Sequence, residues 1–421
     1  MASSSVDRAL DGLRGLVAPD GIRPAAGREV AAANWIFEPA SAAELTELVR
    51  KCEADAITLA PLGAARTLAE IRKSPVALGV SLARMNRVVA YEPDDMTVVV
   101  EAGATLAEVE RVTAPRRQRL PIDPRRPEAA TIGAAIGAAH SGPLRLSEGT
   151  VRDLLIGVQF VGHGGRIVRS GGRVVKNVAG YDLMKVMTGS FGTLGIVTEA
   201  AFKVRPVPEH RAIATASFER PDDAFDAAMR LRDALSLAHL EVASPALARA
   251  VSDIGKFMLF AGVNGSHVEV EHQQSVITRT LSNRIEFLID APAIACYQRL
   301  RDAYLEGAAV SARLAVIPAE LPAAVAACGA EFIAHAGSGV AELYLAPELD
   351  AGAAVRTVAA WRDTVHRAHG NLRLIAAAPQ LRGTLDYFDR PADGALGLMR
   401  RLKQAFDPSG IFNPGCFVGG L

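Results

Sequence analysis

An excess of charge of either sign is missing from this chain. Its 421 residues carry 46 Lys and Arg against 46 Asp and Glu, so bulk electrostatics gives it no pull toward nucleic acid or an anionic membrane. Cysteine is scarce. Cys52, Cys296, Cys328 and Cys416 stand far apart, with no Cys-x-x-Cys spacing. This argues against a zinc or iron–sulfur site and against a disulfide framework, and points to free buried thiols in a reducing compartment. No apolar run approaches about 18 residues, so no transmembrane helix is expected. The N-terminus MASSSVDRALDGLRGLV lacks the charged segment and apolar core of a signal peptide. Phosphate motifs are missing too. There is no Gly-x-x-x-x-Gly-Lys-Ser/Thr, and Gly189, Gly192 and Gly195 are wrongly spaced for Gly-x-Gly-x-x-Gly. Ser338 lacks a nucleophile elbow. His366 and His369 share a helix with no third ligand indicated, and read as an exposed polar face.

What is present is length, apolar content and glycine. Half the residues are hydrophobic, and 421 residues predict two domains rather than one. Glycine crowds the stretch Ala129–Lys203, with Gly133, Gly137, Gly142 and then Gly189, Gly192 and Gly195. Bare backbone lets something flat or charged come close, so the stretch is expected to wrap a large cofactor. Val151–Val161 and Arg166–Val168 read as strands joined by a tight turn at His163-Gly164-Gly165. Asp182 reads as the N-cap of the short helix that follows.

Before this stretch, Val6–Val17 has helical spacing. Ser41 with Glu44, and Thr105 with Glu108, read as capping boxes. Thr97–Gly103 is a buried strand. Pro206-Val207-Pro208 reads as a linker. Beyond it strands alternate with long helices, which predicts a sheet covered on one face by helices. A last helix over Leu396–Phe406 is stopped by Asp407-Pro408-Ser409-Gly410.

The order of pieces is similar to a known family. Val99–Gly103, Thr131–Gly133, Ser141-Gly142, Gly149–Asp153, Lys176–Leu183 and Gly189–Glu199, followed by the tail Leu402–Gly415, resemble the vanillyl-alcohol-oxidase-type (PCMH) FAD-binding proteins. The specific motifs cover residues 130–200 and 400–415. Ser141-Gly142-Pro143 with Lys176–Leu183 looks most like the E-subunit branch represented in bacterial glycolate oxidase. The resemblance implies an α+β fold: a two-part PCMH-type FAD-binding domain over 1–207, a cap domain with an antiparallel sheet covered by helices over 208–390, and a segment 391–421 returning to the first domain. It implies non-covalent FAD, since His140 is the only histidine near the ring-side segment.

Residue roles follow from the same resemblance. Gly63, Ala64 and Arg66 belong to the loop after the first β-strand that cradles pyrophosphate. Thr131, Gly133 and Ala134 lie along the pyrophosphate and ribityl chain, and Ser141 and Gly142 lie near the isoalloxazine ring. Thr150, Val151 and Asp153 contact the ring side or the adenosine half. Gly195, Ile196 and Val197 hold the adenine by strand-edge backbone bonds, and Asn413 closes over the flavin. The implied activity is that of the FAD subunit of a glycolate (2-hydroxy-acid) oxidase complex. Its partners would be a second FAD subunit and an iron–sulfur subunit. The expected place is the cytoplasm, with partners able to bring it to the inner membrane.

Two departures from the family pattern keep rival readings open. The loop Pro61–Thr67 has one glycine, and alanine resists positive φ. Arg66 either compensates by binding phosphate or forms a surface ion pair. The metal-binding Gly-Asp-Gly motif of related dehydrogenases has its nearest counterpart in His335–Val340, which lacks the acid and the second histidine, so no metal is expected. The rivals are a structural subunit that binds FAD weakly or not at all, and a stand-alone FAD-dependent alcohol oxidase. The catalytic group is not identified from the sequence, and His335, Arg382 and Tyr387 are the candidates. Arg382 and Tyr387 read as an exposed loop where a substrate carboxylate or a partner docks. Lys176 and Tyr181 either rim the flavin or sit at a strand end.

Overall fold

A computed structural model describes residues 12–18, 20–63, 72, 74–172, 181–281, 284–346, 350–392 and 394–421. The first half of the expected helix Val6–Val17 lies outside them, and so do Ala64, Arg66 and Lys176. The chain divides into two compact units. One comprises Met1–Ser141, Thr150–Pro206 and Arg390–Leu421, and the other Gly142–Gly149 and Val207–Asp389.

The first unit holds two main sheets. β1 (Ile22–Pro24), β2 (Ala33–Phe37), β3 (Leu59–Leu62) and β4 (Val76–Ser81) form a sheet in the order β1-β2-β4-β3. β2 and β3 both run parallel to β4. α1 (Ala42–Ala54) makes the crossover between β2 and β3, with Ser41 Oγ accepting from Glu44 N at 3.2 Å. β5 (Val88–Glu92), β6 (Thr97–Glu101), β8 (Leu155–Gly162), β9 (Arg166–Gly171) and β10 (Ile196–Lys203) form an antiparallel sheet in the order β5-β6-β10-β8-β9. β7 (Gln118–Arg119) pairs with β11 (Arg205–Pro206). α2 (Leu106–Thr113) starts from the Thr105–Glu108 capping box. Its Leu106 and Val109 join one apolar core with Leu45, Leu48, Val98, Val100, Ile132, Phe160 and Phe412.

One sequence expectation needs correcting here. Val151–Leu154 is a helical turn, α5, following α3 (Ile132–Gly137) and α4 (Arg145–Glu148), and β8 begins only at Leu155. The Thr150 amide donates to Asp153 Oδ2 at 2.7 Å, which winds the backbone at the start of an apolar run that otherwise reads as strand. The turn at His163–Gly165 is present, with Gly164 and Gly165 at φ +69° and +63°. Asp182 caps α6 (Leu183–Met187).

The second unit is built on an eight-stranded antiparallel sheet. Its strands are β12 (His210–Phe218), β13 (His239–Ala243), β14 (Phe257–Gly265), β15 (Glu286–Ile289), β16 (Val310–Ala315), β17 (Glu331–His335), β18 (Val340–Leu345) and β19 (Asn371–Ala377). The order is β15-β12-β14-β13-β17-β18-β16-β19. Helices cover both faces rather than one. α7 (Pro221–Ala234) lays Phe225 on Phe332. On the opposite face α8 (Pro245–Ser252) and α10 (Ala291–Asp302), flanking α9 (His267–Thr280) in sequence, close a core with Ile213, Phe260, Ile333 and Tyr344. The two-faced layout arises because strand residues on both sides are apolar. α11 (Leu321–Cys328) and α12 (Ala351–Arg367) complete this unit. α13 (Ala395–Phe406) belongs to the first.

Gly142–Gly149 is inserted in the first unit by sequence but clusters with the second. Ser147 Oγ donates to the Ala238 carbonyl at 2.9 Å, and Leu146 covers Gly337.

Candidate cofactor site

α3 is the centre of the site. Thr131 caps it, its Oγ1 accepting from Ala134 N at 3.3 Å. Ile132, Ala135 and Ile136 point into the core, while Gly133, Ala134 and Gly137 are half-exposed on the other side. A surface helix ordinarily puts polar side chains outward. Here the outward face carries nothing larger than a methyl group, and a Cβ at Gly137 would meet no atom within 4 Å. That bare face fits the close approach of a large flat cofactor.

Gly63, at the end of β3, comes against the start of this helix. A Cβ there would lie 2.7 Å from Ala134 Cβ and 2.9 Å from Thr131 Oγ1. At the other end, Gly189 N and Phe191 N donate to the Ile136 and Gly137 carbonyls at 2.9 and 2.8 Å. Gly192, at φ +68°, passes so close to Pro61 of β3 that a Cβ would sit 2.2 Å from its Cγ. Gly195 and Ile196 lead into β10, where Ile196 and Val197 pair with Val161 and Phe160 of β8. β6 pairs with β10 only from Glu199 onward, so the β6 side of Gly195–Val197 lies beyond the end of that ladder.

The tail closes the circuit. Phe412 bridges Leu59 of β3 in parallel, and Asn413 N donates to the Leu59 carbonyl at 2.7 Å. Asn413 is fully buried. Its Nδ2 donates to the Phe191 carbonyl at 2.5 Å, and its Oδ1 accepts from Arg72 at 2.6 Å. Asn413 thus acts through protein contacts, stapling the tail to β3 and to the glycine turn. Lys403 adds a clasp. Its Nζ donates to the carbonyls of Thr193 and Phe412 and to Asp407 Oδ2, at 2.7, 2.8 and 2.6 Å. Asp407 in turn accepts from the amides of Ile411 and Phe412.

Gly63, Thr131, Gly133, Ala134, Gly195, Ile196, Val197 and Asn413 therefore belong to one connected set of segments. Four expected cofactor residues, Gly133, Thr150, Val151 and Asp153, spend a donor or side chain inside the protein. The Ile132 and Gly133 amides donate to the Ala104 and Ala102 carbonyls, both at 2.8 Å. Thr150 and Asp153 satisfy each other at the start of α5. Val151 is a core residue. Ser141 and Gly142 stand, half-buried, where the chain leaves the first unit's segments for those of the second.

The remaining candidates lie in the second unit. His335 is buried at the end of β17, with Nδ1 3.3 Å from Glu241 Oε1. Arg382 is half-buried and donates from Nε to the Ala377 carbonyl at 3.3 Å. Tyr387 is buried against Phe388, with its carbonyl accepting from Leu374 N. This corrects the expectation of an exposed docking loop, because β19 draws Tyr387 inward. Tyr181 is 90% exposed. Sequence reasoning missed Lys403 and Asp407, whose spacing of four on a helix was the available signal. Among the described residues no cluster of His, Cys, Asp and Glu is arranged to hold a metal, and no helix is long and apolar enough to cross a membrane.

Comparison with known proteins agrees with this geometry. A model described as "FAD binding domain" matches residues 33–171, and one described as "FAD linked oxidases, C-terminal domain" matches residues 312–416. A mitochondrial D-lactate dehydrogenase [cytochrome] of Arabidopsis thaliana is 26% identical over 90% of this chain and 72% of its own. Glycolate oxidase subunit GlcE of Escherichia coli is 38% identical over 29% of this chain, and GlcD of Bacillus subtilis 32% identical over 45%. These two matches span only 35% and 40% of those subunits. Among solved structures, p-cresol methylhydroxylase with substrate bound gives a TM-score of 0.73 at 15% identity, covering 98% of this chain and 96% of its own. 4-Ethylphenol oxidase from Gulosibacter chungangensis gives 0.71 at 16% identity, covering 98% and 97%. With the bare outward face of α3 ringed by β3, the glycine turn and the tail, these matches identify an FAD binding domain and the C-terminal domain of FAD linked oxidases in this chain, on the fold that p-cresol methylhydroxylase also has.

Proposed function

We propose that this chain is the FAD-carrying subunit of an enzyme that oxidises the CH–OH group of a small 2-hydroxy acid such as glycolate or D-lactate. The observation that carries the reading is the D-lactate dehydrogenase match running over 90% of the chain. The local match to the glycolate oxidase E subunit favours a multi-subunit enzyme. FAD, when bound, supplies the acceptor for the hydride leaving the substrate α-carbon. Thr131, Gly133, Ala134 and Gly137 would line the pyrophosphate and ribityl chain, and Gly63, Ala64 and Arg66 would complete that cradle. Ser141 and Gly142 would border the ring. Gly195, Ile196 and Val197 would receive the adenine, and Asn413 would hold the tail that backs β3. His335, Arg382 and Tyr387 are the candidates for handling the substrate's hydroxyl proton and carboxylate. Electrons would leave through a second FAD subunit and an iron–sulfur subunit, since this sequence has no cluster motif.

The test is visible flavin absorbance of the purified chain, then anaerobic mixing with glycolate or D-lactate, alone and with partner subunits from the native host. Bleaching of the flavin by either acid supports the reading. A protein that stays colourless in excess FAD overturns it. One observation favours a second reading, a fold-retaining subunit with weak FAD affinity: the first-turn amides of Ile132 and Gly133 are already bonded. The same FAD titration separates the two.

A further inference from the structure

The two edges of the eight-stranded sheet are finished differently. At one edge, β19, the chain returns to cover its own strand. Leu374 N donates to the Tyr387 carbonyl and Leu372 N to Asp389 Oδ2, both at 2.9 Å. At the other edge, β15 pairs, among the described residues, with β12 alone. An open strand edge is a template for another strand, and proteins commonly blunt it with proline, lysine or a bulge. The run Ile285-Glu286-Phe287-Leu288-Ile289 carries neither residue, and its ladder to β12 runs without a register shift. Ile289 is 49% exposed, and Arg284 and Glu286 are exposed.

One bond fixes which backbone groups face outward. Asp290 N donates to the Arg211 carbonyl at 2.8 Å, one step beyond the Ala212–Ile289 pair. Bonded pairs alternate along an antiparallel ladder. Glu286 and Leu288 therefore turn their N–H and C=O groups toward β12, while those of Ile285, Phe287 and Ile289 point to the open side. Side chains alternate too. Leu288 packs on the core that holds Ile213 and Phe260. Phe287 lies on the other face, where it lines an open hollow with Glu271, Gln274, Ser275 and Thr278 of α9.

The edge is complementary to itself. Two copies related by a two-fold axis present the same patch to each other. Two such strands bond only where outward residues oppose outward residues. Centred on Phe287, the register sets Phe287 against its own copy, Ile285 against Ile289, and Arg284 against Asp290, so opposite charges meet at both ends. The adjacent bonding registers set Glu286 against its own copy or against Asp290. Directly opposed positions stand ~5 Å apart, where like charges repel, whereas the centred register keeps the two Glu286 side chains on the ~7–8 Å diagonal. Further slides oppose Phe287 to residues beyond the strand.

We propose that β15 is a homodimerisation edge, at which two copies of this chain join antiparallel through residues 285–289, centred on Phe287. The sheets of the two second units then become one. Ile285, Phe287 and Ile289 each exchange backbone bonds with the residue opposite, and their side chains meet beside the hollow under α9. The strand is short, so the dimer is weak and separates on dilution. The inference is independent of the substrate reading above.

Sedimentation velocity of the full chain over a dilution series tests it. The wild type should pass from twice the chain mass to the chain mass. Ile289→Lys should weaken association by about 10- to 100-fold, and Arg284→Glu by about 10-fold, the second loss shrinking in high salt. Both positions are open to solvent, so the circular dichroism and Tm of the monomer should not move. Phe287→Cys reads the register. It faces its own copy at the ~5.5 Å Cα separation of a bonded pair and should form a disulfide on mild oxidation, whereas Glu286→Cys should not. The native cysteines are buried and do not compete. A chain that is monomeric at every concentration overturns the proposal, as does a dimer that both charge variants leave intact. Cross-linking through Glu286→Cys in preference to Phe287→Cys overturns it too, and so does a wild type that gains mass only when a different protein is added.

Discussion

Lys403→Met is the sharpest test of how the cofactor site is held. The Lys403 ammonium is largely buried and makes three short bonds, two to carbonyls and one to Asp407, whose side chain is 0% exposed. Methionine preserves the length of the side chain and removes the charge. Asp407 is left as a buried anion, although the Ile411 and Phe412 amides still donate to it at 3.1 and 3.0 Å. Breaking a buried pair costs roughly 3–5 kcal/mol, and the two remaining amide bonds put this case at the low end, about 3 kcal/mol. For a unit of this size that corresponds to a fall in Tm of about 6–12 °C. Scanning calorimetry of the FAD-loaded protein measures it, and the release of flavin fluorescence should move to lower temperature in parallel. Adding Asp407→Asn should restore part of the loss, because the uncompensated charge goes with it. A Tm shift below about 1 °C, or a double variant no better than the single, would refute the clasp.

Four further outcomes are expected. Gly192→Ala must hold a Cβ at φ +68° and 2.2 Å from Pro61, which should cost about 2–4 kcal/mol in a denaturant titration. Gly137→Phe fills the open side of α3; it should purify with little FAD while its Tm stays near that of wild-type apoprotein. All four cysteines are buried, and burial pushes the Cys52 thiol up to about 12 and Cys328 to about 11, so a thiol reagent at neutral pH should label none until the chain unfolds. Because the Glu241 carboxyl is held below its usual 4.5, its contribution to stability is present above that pH and is lost as pH falls below it. The Tm gap between wild type and Glu241→Gln should therefore shrink in acid.

Features set by residues close in sequence were legible. Ser41 and Thr105 cap the helices they were read to cap, because such caps need only a few neighbouring residues; Thr105 and Glu108 close the full box, whereas the Glu44 carboxylate accepts from the Ala40 amide rather than that of Ser41. The same local rule was overlooked at Thr150 and Asp153, where the apolar run from Val151 hid a helical turn. The bare face of α3 was visible as closely spaced glycine and alanine. That its first amides are consumed by Ala102 and Ala104 was not visible, since this depends on how β6 ends. Nor could the sequence show that β13 pairs with β17 across some ninety residues, which is what brings His335 to Glu241. The His-x-Glu spacing at His239 and Glu241 was the available hint, because alternate strand residues share a face.

The pairing of Leu59 with Phe412 has a consequence for biosynthesis. β3 stands at the edge of its sheet, and its outer backbone groups are met by a segment translated some 350 residues later. A ribosome that has made every residue up to 400 has still not supplied that neighbour, nor Lys403 or Asn413. Flavin retention should thus begin only when the closing segment emerges, so that acquiring colour reports that the chain was read through to its tail. Nascent chains arrested before residue 412 would present an unpaired strand edge, the kind of surface that chaperones and proteases recognise.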